Sequence, residues 1–141
     1  MDLVLIRHGV TAWNQQRRFQ GQIDTPLSEE GHQQAMLTAR HLSTLSQAQP
    51  INAIYASDLK RAWSTAEPIA RLLGLPILKQ SLLRERHYGV FEGKTHEELQ
   101  LDRSPPNHGI ADCRCRPLSS STVITIGGSR HHQHCPFLFL A

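Results

Sequence analysis

The stretch that most constrains this chain is its opening, Leu3-Val4-Leu5-Ile6 running straight into Arg7-His8-Gly9. Four consecutive apolar residues, rich in branched side chains and cut off by a charged pair, read as a strand buried on both faces, the pattern of a parallel sheet. Open α/β sheets gather their chemistry at the carboxyl ends of their strands. Arg7 and His8 stand at such an end.

A neutral imidazole can attack phosphorus directly, and the phosphohistidine that results divides one hard displacement into two easier ones. It needs a cation beside it to hold the phosphoryl oxygens, and the guanidinium of Arg7 offers a fork of donors matched to them. Gly9 leaves room for close backbone approach. The plain alternative is a strand that simply ends in polar residues.

Residues 9–27 hold glycine, asparagine, aspartate and proline in a polar setting and are predicted to form a long loop over the strand end. Loops of more than about a dozen residues in compact domains are usually functional. Ser28 is a good helix N-cap, with Glu29 and Glu30 in the first turn where the helix dipole favours them. Ala35, Ala39, Leu42 and Leu45 then recur at three- and four-residue spacing, which predicts a helix over about 29–46. Residues 51–56 read as a second buried strand. Ser57 and Asp58 are predicted to open a helix with Leu59, Ala62, Ala66, Ile69 and Leu73 on its apolar face, kinked at Pro68 and ended by Gly74. Arg61 falls near the positive end of that helix, a natural anion site. Residues 76–78 form a candidate third strand, 82–93 look irregular, and Thr95 with Glu98 makes a capping box that predicts another helix start. Strand and helix alternate, the mark of an α/β fold with a mostly parallel sheet.

Five blocks occur in order: Arg7-His8-Gly9-Val10-Thr11-Ala12-Trp13-Asn14; Arg18-Phe19-Gln20-Gly21; Asp24-Thr25-Pro26-Leu27-Ser28-Glu29-Glu30-Gly31; Ser57-Asp58-Leu59-Lys60-Arg61-Ala62 with Thr65-Ala66-Glu67; and Leu83-Arg84-Glu85-Arg86-His87-Tyr88-Gly89 with Glu92-Gly93. Together they resemble the histidine phosphatase superfamily, the cofactor-dependent phosphoglycerate mutase group, over about residues 1–101. The resemblance implies a three-layer α/β sandwich with a mostly parallel sheet, incomplete here. It also implies phosphoryl transfer or hydrolysis on small phosphorylated metabolites through a phosphohistidine.

On that resemblance His8 is the nucleophile, and Arg7 and Arg61 clamp the phosphoryl group. Asn14 and Thr11 match phosphate-loop positions, an ordinary turn being the alternative for both. Glu85 matches the proton donor to the leaving group, which must stay protonated near neutral pH; a carboxylate paired with Arg84 or Arg86 is the alternative. Gly21, Arg86, His87 and Tyr88 match substrate-contacting positions. Mutase and phosphatase stay undivided. No metal or other cofactor is implied, although a mutase would need a bisphosphorylated primer to charge His8.

From Asp102 the chain changes character. Residues 102–141 hold all three cysteines (Cys113, Cys115 and Cys135), half of the eight prolines and only two acids. Val123-Ile124-Thr125-Ile126 alone reads as a strand there. In the family a second catalytic histidine follows a later strand, but here Ile126 leads into Gly127-Gly128. The expectation is a family domain over 1–101 and an atypical tail, frame-shifted or disordered, over 102–141. Loss of one such preorganised donor typically costs roughly a hundredfold in rate, about 3 kcal/mol. The competing reading is therefore a catalytically inactive, truncated remnant that at most binds phosphate weakly. Cys113, Cys115, His131, His132, His134 and Cys135 are conceivable zinc ligands, but Cys-x-Cys is tight for one metal. Accidental clustering in a biased tail is the simpler reading.

With 141 residues, 39% apolar and 19% charged, the chain fits one globular domain. A net charge of +3 suits anionic metabolites, and with no lysine stripe or interleaved aromatics it does not argue for nucleic acid. The amino terminus lacks a basic region and a cleavage site, and no run approaches membrane-spanning length. A cytoplasmic location is expected, with oligomeric state left open.

Overall fold

The computed structural model describes residues 3–99, together with the backbone of 123–126 and 137–140. Its elements are β1 (Leu3–Ile6), α1 (Ala12–Gln15), α2 (Glu29–Leu45), β2 (Ala53–Ala56), α3 (Lys60–Leu73), β3 (Ile77–Lys79), β4 (Val123–Ile126) and β5 (Phe137–Leu140). The strands form one sheet in the order β3-β2-β5-β1-β4. Three of its pairings are parallel, and only β1 with β4 is antiparallel. This is the expected mostly parallel α/β sheet.

Both long helices cover one face of it. Ala39 and Leu42 of α2 and Ala66 and Ile69 of α3 meet Ile6, Ile54 and Ala56 in a single buried cluster, with Val4 and Ile77 packed against it. Full burial of a leucine or isoleucine such as Leu42, Ile54 or Ile69 stabilises the fold by roughly 1.5–3 kcal/mol each. The alanines at the spacing read from the sequence, Ala35, Ala39, Ala62 and Ala66, are all buried. Their small side chains let α2 and α3 lie close together. Among the described residues the opposite face of the sheet carries no helix, so two of the three expected layers are present.

The helix ends follow local chemistry. Ser28 caps α2 by accepting the Gly31 N–H at 3.1 Å. α3 starts at Lys60, slightly later than Ser57-Asp58 predicted, and its cap residue Leu59 has no capping side chain. Asp24 does this work from the distant loop, accepting the Lys60 N–H at 2.6 Å. Gly74 closes α3 in the left-handed conformation, φ 66°. Pro68 lies within α3, which continues through it to Leu73.

Three features depart from the sequence reading. The loop over 9–27 contains α1, a single turn closed by a reciprocal capping box between Thr11 and Asn14 and too short to leave a periodic signal. The Thr95–Glu98 capping box forms, with both bonds present, yet residues 96–99 are turns; anything beyond Leu99 lies outside the described residues here. Finally, β5 takes a central place between β1 and β2. The sequence reading takes only Val123–Ile126 as a strand in this stretch, although Phe137–Leu140 has the same continuous apolar pattern as β1. The boundary expected at 101, the three cysteines and His131, His132 and His134 lie outside the described residues. No helix among the described residues is long and apolar enough to cross a membrane.

Candidate active site at the end of the first strand

Beyond β1 the backbone turns sharply over the start of α2. A Cβ on Gly9 would stand 2.5 Å from the Gly31 carbonyl oxygen, and one on Gly31 would stand 2.1 Å from that of Val10. Backbone meets backbone here, so neither position accepts a side chain without displacing the turn. The crossing is held by Ser28, whose N–H and hydroxyl both donate to the Val10 carbonyl at 2.9 Å. From the other side Thr65 of α3 accepts the Gly9 N–H at 3.0 Å, while its own hydroxyl donates to the Arg61 carbonyl at 2.7 Å.

His8 is carried on this turn. Its Nδ1 lies 2.7 Å from the Gly9 carbonyl oxygen. A carbonyl only accepts, so Nδ1 bears the proton and the lone pair of the neutral ring is on Nε2. Burial lowers the pKa of His8 from 6.5 to about 4, aided by the charges of Arg61 and Arg7 and opposed by the Gly9 carbonyl. At neutral pH the ring is an uncharged base within the electrostatic reach of two cations.

Arg61 is 2% exposed. Its guanidinium donates to the Gly21 carbonyl at 2.7 Å and the Ile23 carbonyl at 2.9 Å, which fastens the loop before α2 to the first turn of α3. Burial depresses its pKa, against the charges of Glu85, Asp24 and Glu92. The Arg7 side chain is exposed.

The remaining sequence candidates divide by what their polar atoms already do. Thr11 is fully buried. Its hydroxyl lies 2.9 Å from Asn14 Oδ1 and 3.0 Å from Gln20 Oε1, so it closes the turn from inside. Asn14 accepts the Thr11 N–H through Oδ1 at 3.0 Å, and among the described residues its Nδ2 has no partner, leaving a donor for an anion. Gly21 is buried, with φ +53°. Glu85 is exposed and accepts the Arg86 N–H at 3.1 Å; Arg84 does not pair with it, being engaged with both carboxylate oxygens of Asp58, Nε to Oδ1 at 2.6 Å. The Arg86 guanidinium lies 4.6 Å over the Tyr88 ring, and Tyr88 packs 5.4 Å from Phe19. His87 Nδ1 accepts the Gly89 N–H at 3.0 Å.

The profile of the histidine phosphatase superfamily (branch 1) matches residues 3–114. The chain belongs to the histidine phosphatase superfamily. It is 44% identical over 103 residues to phosphoglycerate mutase-like protein 4 of Arabidopsis thaliana, covering 72% of this chain and 44% of that one. It is 40% identical over 127 residues to a glucosyl-3-phosphoglycerate phosphatase of Mycolicibacterium vanbaalenii, covering 88% and 54%. Among solved structures, a mycobacterial glucosyl-3-phosphoglycerate phosphatase in complex with VO3 superposes with a TM-score of 0.67 at 39% identity, over 73% of this chain and 47% of that one. The chain thus spans about half the length of the curated relatives it matches.

Glu92, which the sequence reading does not name as a candidate, also belongs to this histidine phosphatase site. It is a partly buried junction, its side chain 8% exposed. Oε1 accepts the N–H groups of both Gln22 and Tyr88 at 3.0 Å, and Oε2 lies 3.8 Å from His87 Nε2. These bonds, that from Gln22 above all, hold its pKa below the usual carboxylate value. Glu92 therefore joins the loop that Arg61 grips to the loop that carries Glu85.

Proposed function

We propose that the site takes a phosphoryl group onto His8 from a small phosphorylated metabolite, as a phosphatase or mutase. The observation that carries the reading is His8 itself: a ring neutral at physiological pH, its proton held on Nδ1 by the Gly9 carbonyl, with the charges of Arg61 and Arg7 close enough to lower its pKa. Nε2 attacks phosphorus as the ester P–O bond breaks, and Glu85 supplies the proton that the leaving oxygen needs. Arg7, Arg61 and the Asn14 amide hold the three phosphoryl oxygens as their charge rises. Water then cleaves the P–N bond and restores His8; in a mutase the phosphoryl group returns to another hydroxyl instead. Gly21, Arg86, His87 and Tyr88 bound the side from which the rest of the metabolite enters. Named relatives that include a phosphoglycerate mutase-like protein and a glucosyl-3-phosphoglycerate phosphatase support this substrate class.

One observation favours a second reading. Ile126 runs into Gly127-Gly128, where the family pattern calls for a partner histidine. On that reading the chain binds phosphate without turning it over. Hydrolysis of a generic aryl phosphate by the purified chain, beside His8→Ala prepared identically, separates the two. Turnover that disappears in the variant establishes the enzyme; equal and negligible rates in both establish the inactive remnant.

A further inference from the structure

The peptide that fixes the nucleophile's proton is itself held from behind. His8 Nδ1 donates to the carbonyl of the Gly9–Val10 peptide at 2.7 Å, and the N–H of that same peptide donates to Gln34 Oε1 on α2 at 3.0 Å. We propose that Gln34 is a positioning residue for His8, setting which ring nitrogen carries the proton by holding the peptide that His8 uses. The proposal rests on His8 reacting through Nε2, as the function above requires.

The argument is geometric. A trans peptide is rigid and points its C=O and N–H in opposite directions, so anchoring one end aims the other. Thr65 holds the peptide before this one, through the Gly9 N–H, and Ser28 holds the one after it, through the Val10 carbonyl. Among the described residues Gln34 alone bonds the N–H of the peptide whose oxygen faces Nδ1. The orientation of its amide is favoured from the other end: Nε2 donates to Glu30 Oε1 at 3.3 Å, and Glu30 Oε2 in turn accepts from Gln15 Nε2 at 3.2 Å. Oε1 is thereby left for Val10. An acceptor on the N–H also polarises the carbonyl beyond it, which strengthens the bond that His8 donates. The arrangement parallels the carboxylate or carbonyl that commonly orients the second nitrogen of a working histidine.

The test reads the tautomer directly and does not depend on turnover. In the full chain labelled with nitrogen-15 histidine, the His8 signals are identified among nine histidines by their loss in His8→Gln. At neutral pH the two His8 nitrogens are expected to be widely separated, with Nδ1 at the protonated position. In Gln34→Met, which keeps the volume and removes the acceptor, they converge toward an averaged position as the Nε2–H tautomer enters. Gln34→Glu made together with Glu30→Gln, which keeps an acceptor for Val10 without setting two carboxylates against each other, restores the separation. Should Gln34→Met fail to fold, Gln34→Ala leaves the Val10 N–H to solvent and is read the same way. A folded Met or Ala variant that keeps the wild-type separation overturns the proposal, as does a folded double variant that loses it. A merely structural role for Gln34 would lower the melting temperature and leave the tautomer unmoved. Because the aryl phosphate assay is separate, an inactive chain whose His8 tautomer follows Gln34 would refute the proposed function and not this inference.

Discussion

A Cβ placed on Gly21 would lie 2.0 Å from Glu92 Oε1, the oxygen that accepts the backbone N–H groups of Gln22 and Tyr88. The left-handed backbone at Gly21 and the position of the Glu92 carboxylate are thus one feature. Gly21→Ala combines an unfavourable φ with displacement of that carboxylate, and it is expected to destabilise the fold by about 2–3 kcal/mol. Urea unfolding measures it. A double-mutant cycle with Glu92→Ala should show coupling, since the two changes damage the same junction.

Removing the junction from the other side has a local signature. In Glu92→Ala the Gln22 and Tyr88 amides lose their acceptor, so their hydrogen exchange should quicken at least about tenfold. Glu92→Gln keeps a carbonyl oxygen in reach and should hold most of that protection. Protection unchanged in the alanine variant would mean that the two loops stay together without Glu92.

Arg61 shapes the loop as well as lowering the pKa of His8 through its charge. Arg61→Met preserves bulk but orphans the buried Gly21 carbonyl, while the carbonyl of half-exposed Ile23 can turn to water. The expected loss is about 2 kcal/mol of stability, measured in the absence of any ligand. Lysine should not rescue it, because a single ammonium does not reproduce the fork that spans two carbonyls.

Acid should weaken the protein through His8 before it does so through its carboxylates. The folded pKa of His8, about 4, lies below the unfolded value of 6.5, so between them the unfolded chain binds the proton first. Stability from this group is complete above pH 6.5 and falls as the pH drops toward 4, by at most about 3 kcal/mol. Asp58, held down to about 2 chiefly by its hydrogen bond from Arg84, adds its own loss only as the pH falls from 3.8. Glu92 and Glu98, whose pKa values are also lowered from 4.5, begin their losses at that value. Unfolding curves collected stepwise in pH should therefore show the His8 loss by itself between pH 6.5 and about 4.5 and a mixed loss below it. His8→Gln should erase the loss above about pH 4.5.

How much could be read in advance depended on what each signal encodes. Ala35, Ala39 and Leu42 marked the buried face of α2, and Ser28 its start, because burial and capping act through side chains that a sequence displays. β4 was legible from its branched residues; Phe137–Leu140, which follows Pro136 and is as continuously apolar as β1, carried a comparable signal that the sequence reading does not use. The motifs named Arg7, His8 and Arg61, and the fold brings their charges within reach of one another. Gln34, Thr65 and Glu92 stayed invisible as site residues for a common reason. Each acts by accepting a backbone N–H from a remote part of the chain, and no pattern of side chains records where a backbone donor will arrive. Asp24 capping α3 from far upstream is the same case.

The place of β5 sets the order of events during synthesis. Strands β1 and β2 are not neighbours; each pairs with residues 137–140. A ribosome adding about 5–20 residues per second leaves β1 waiting on the order of ten seconds for its partner. Through that interval the inner edges of both strands stand open to pairing with any other extended chain. Closure of this sheet therefore waits for residues 137–140, which are made long after β1 and β2.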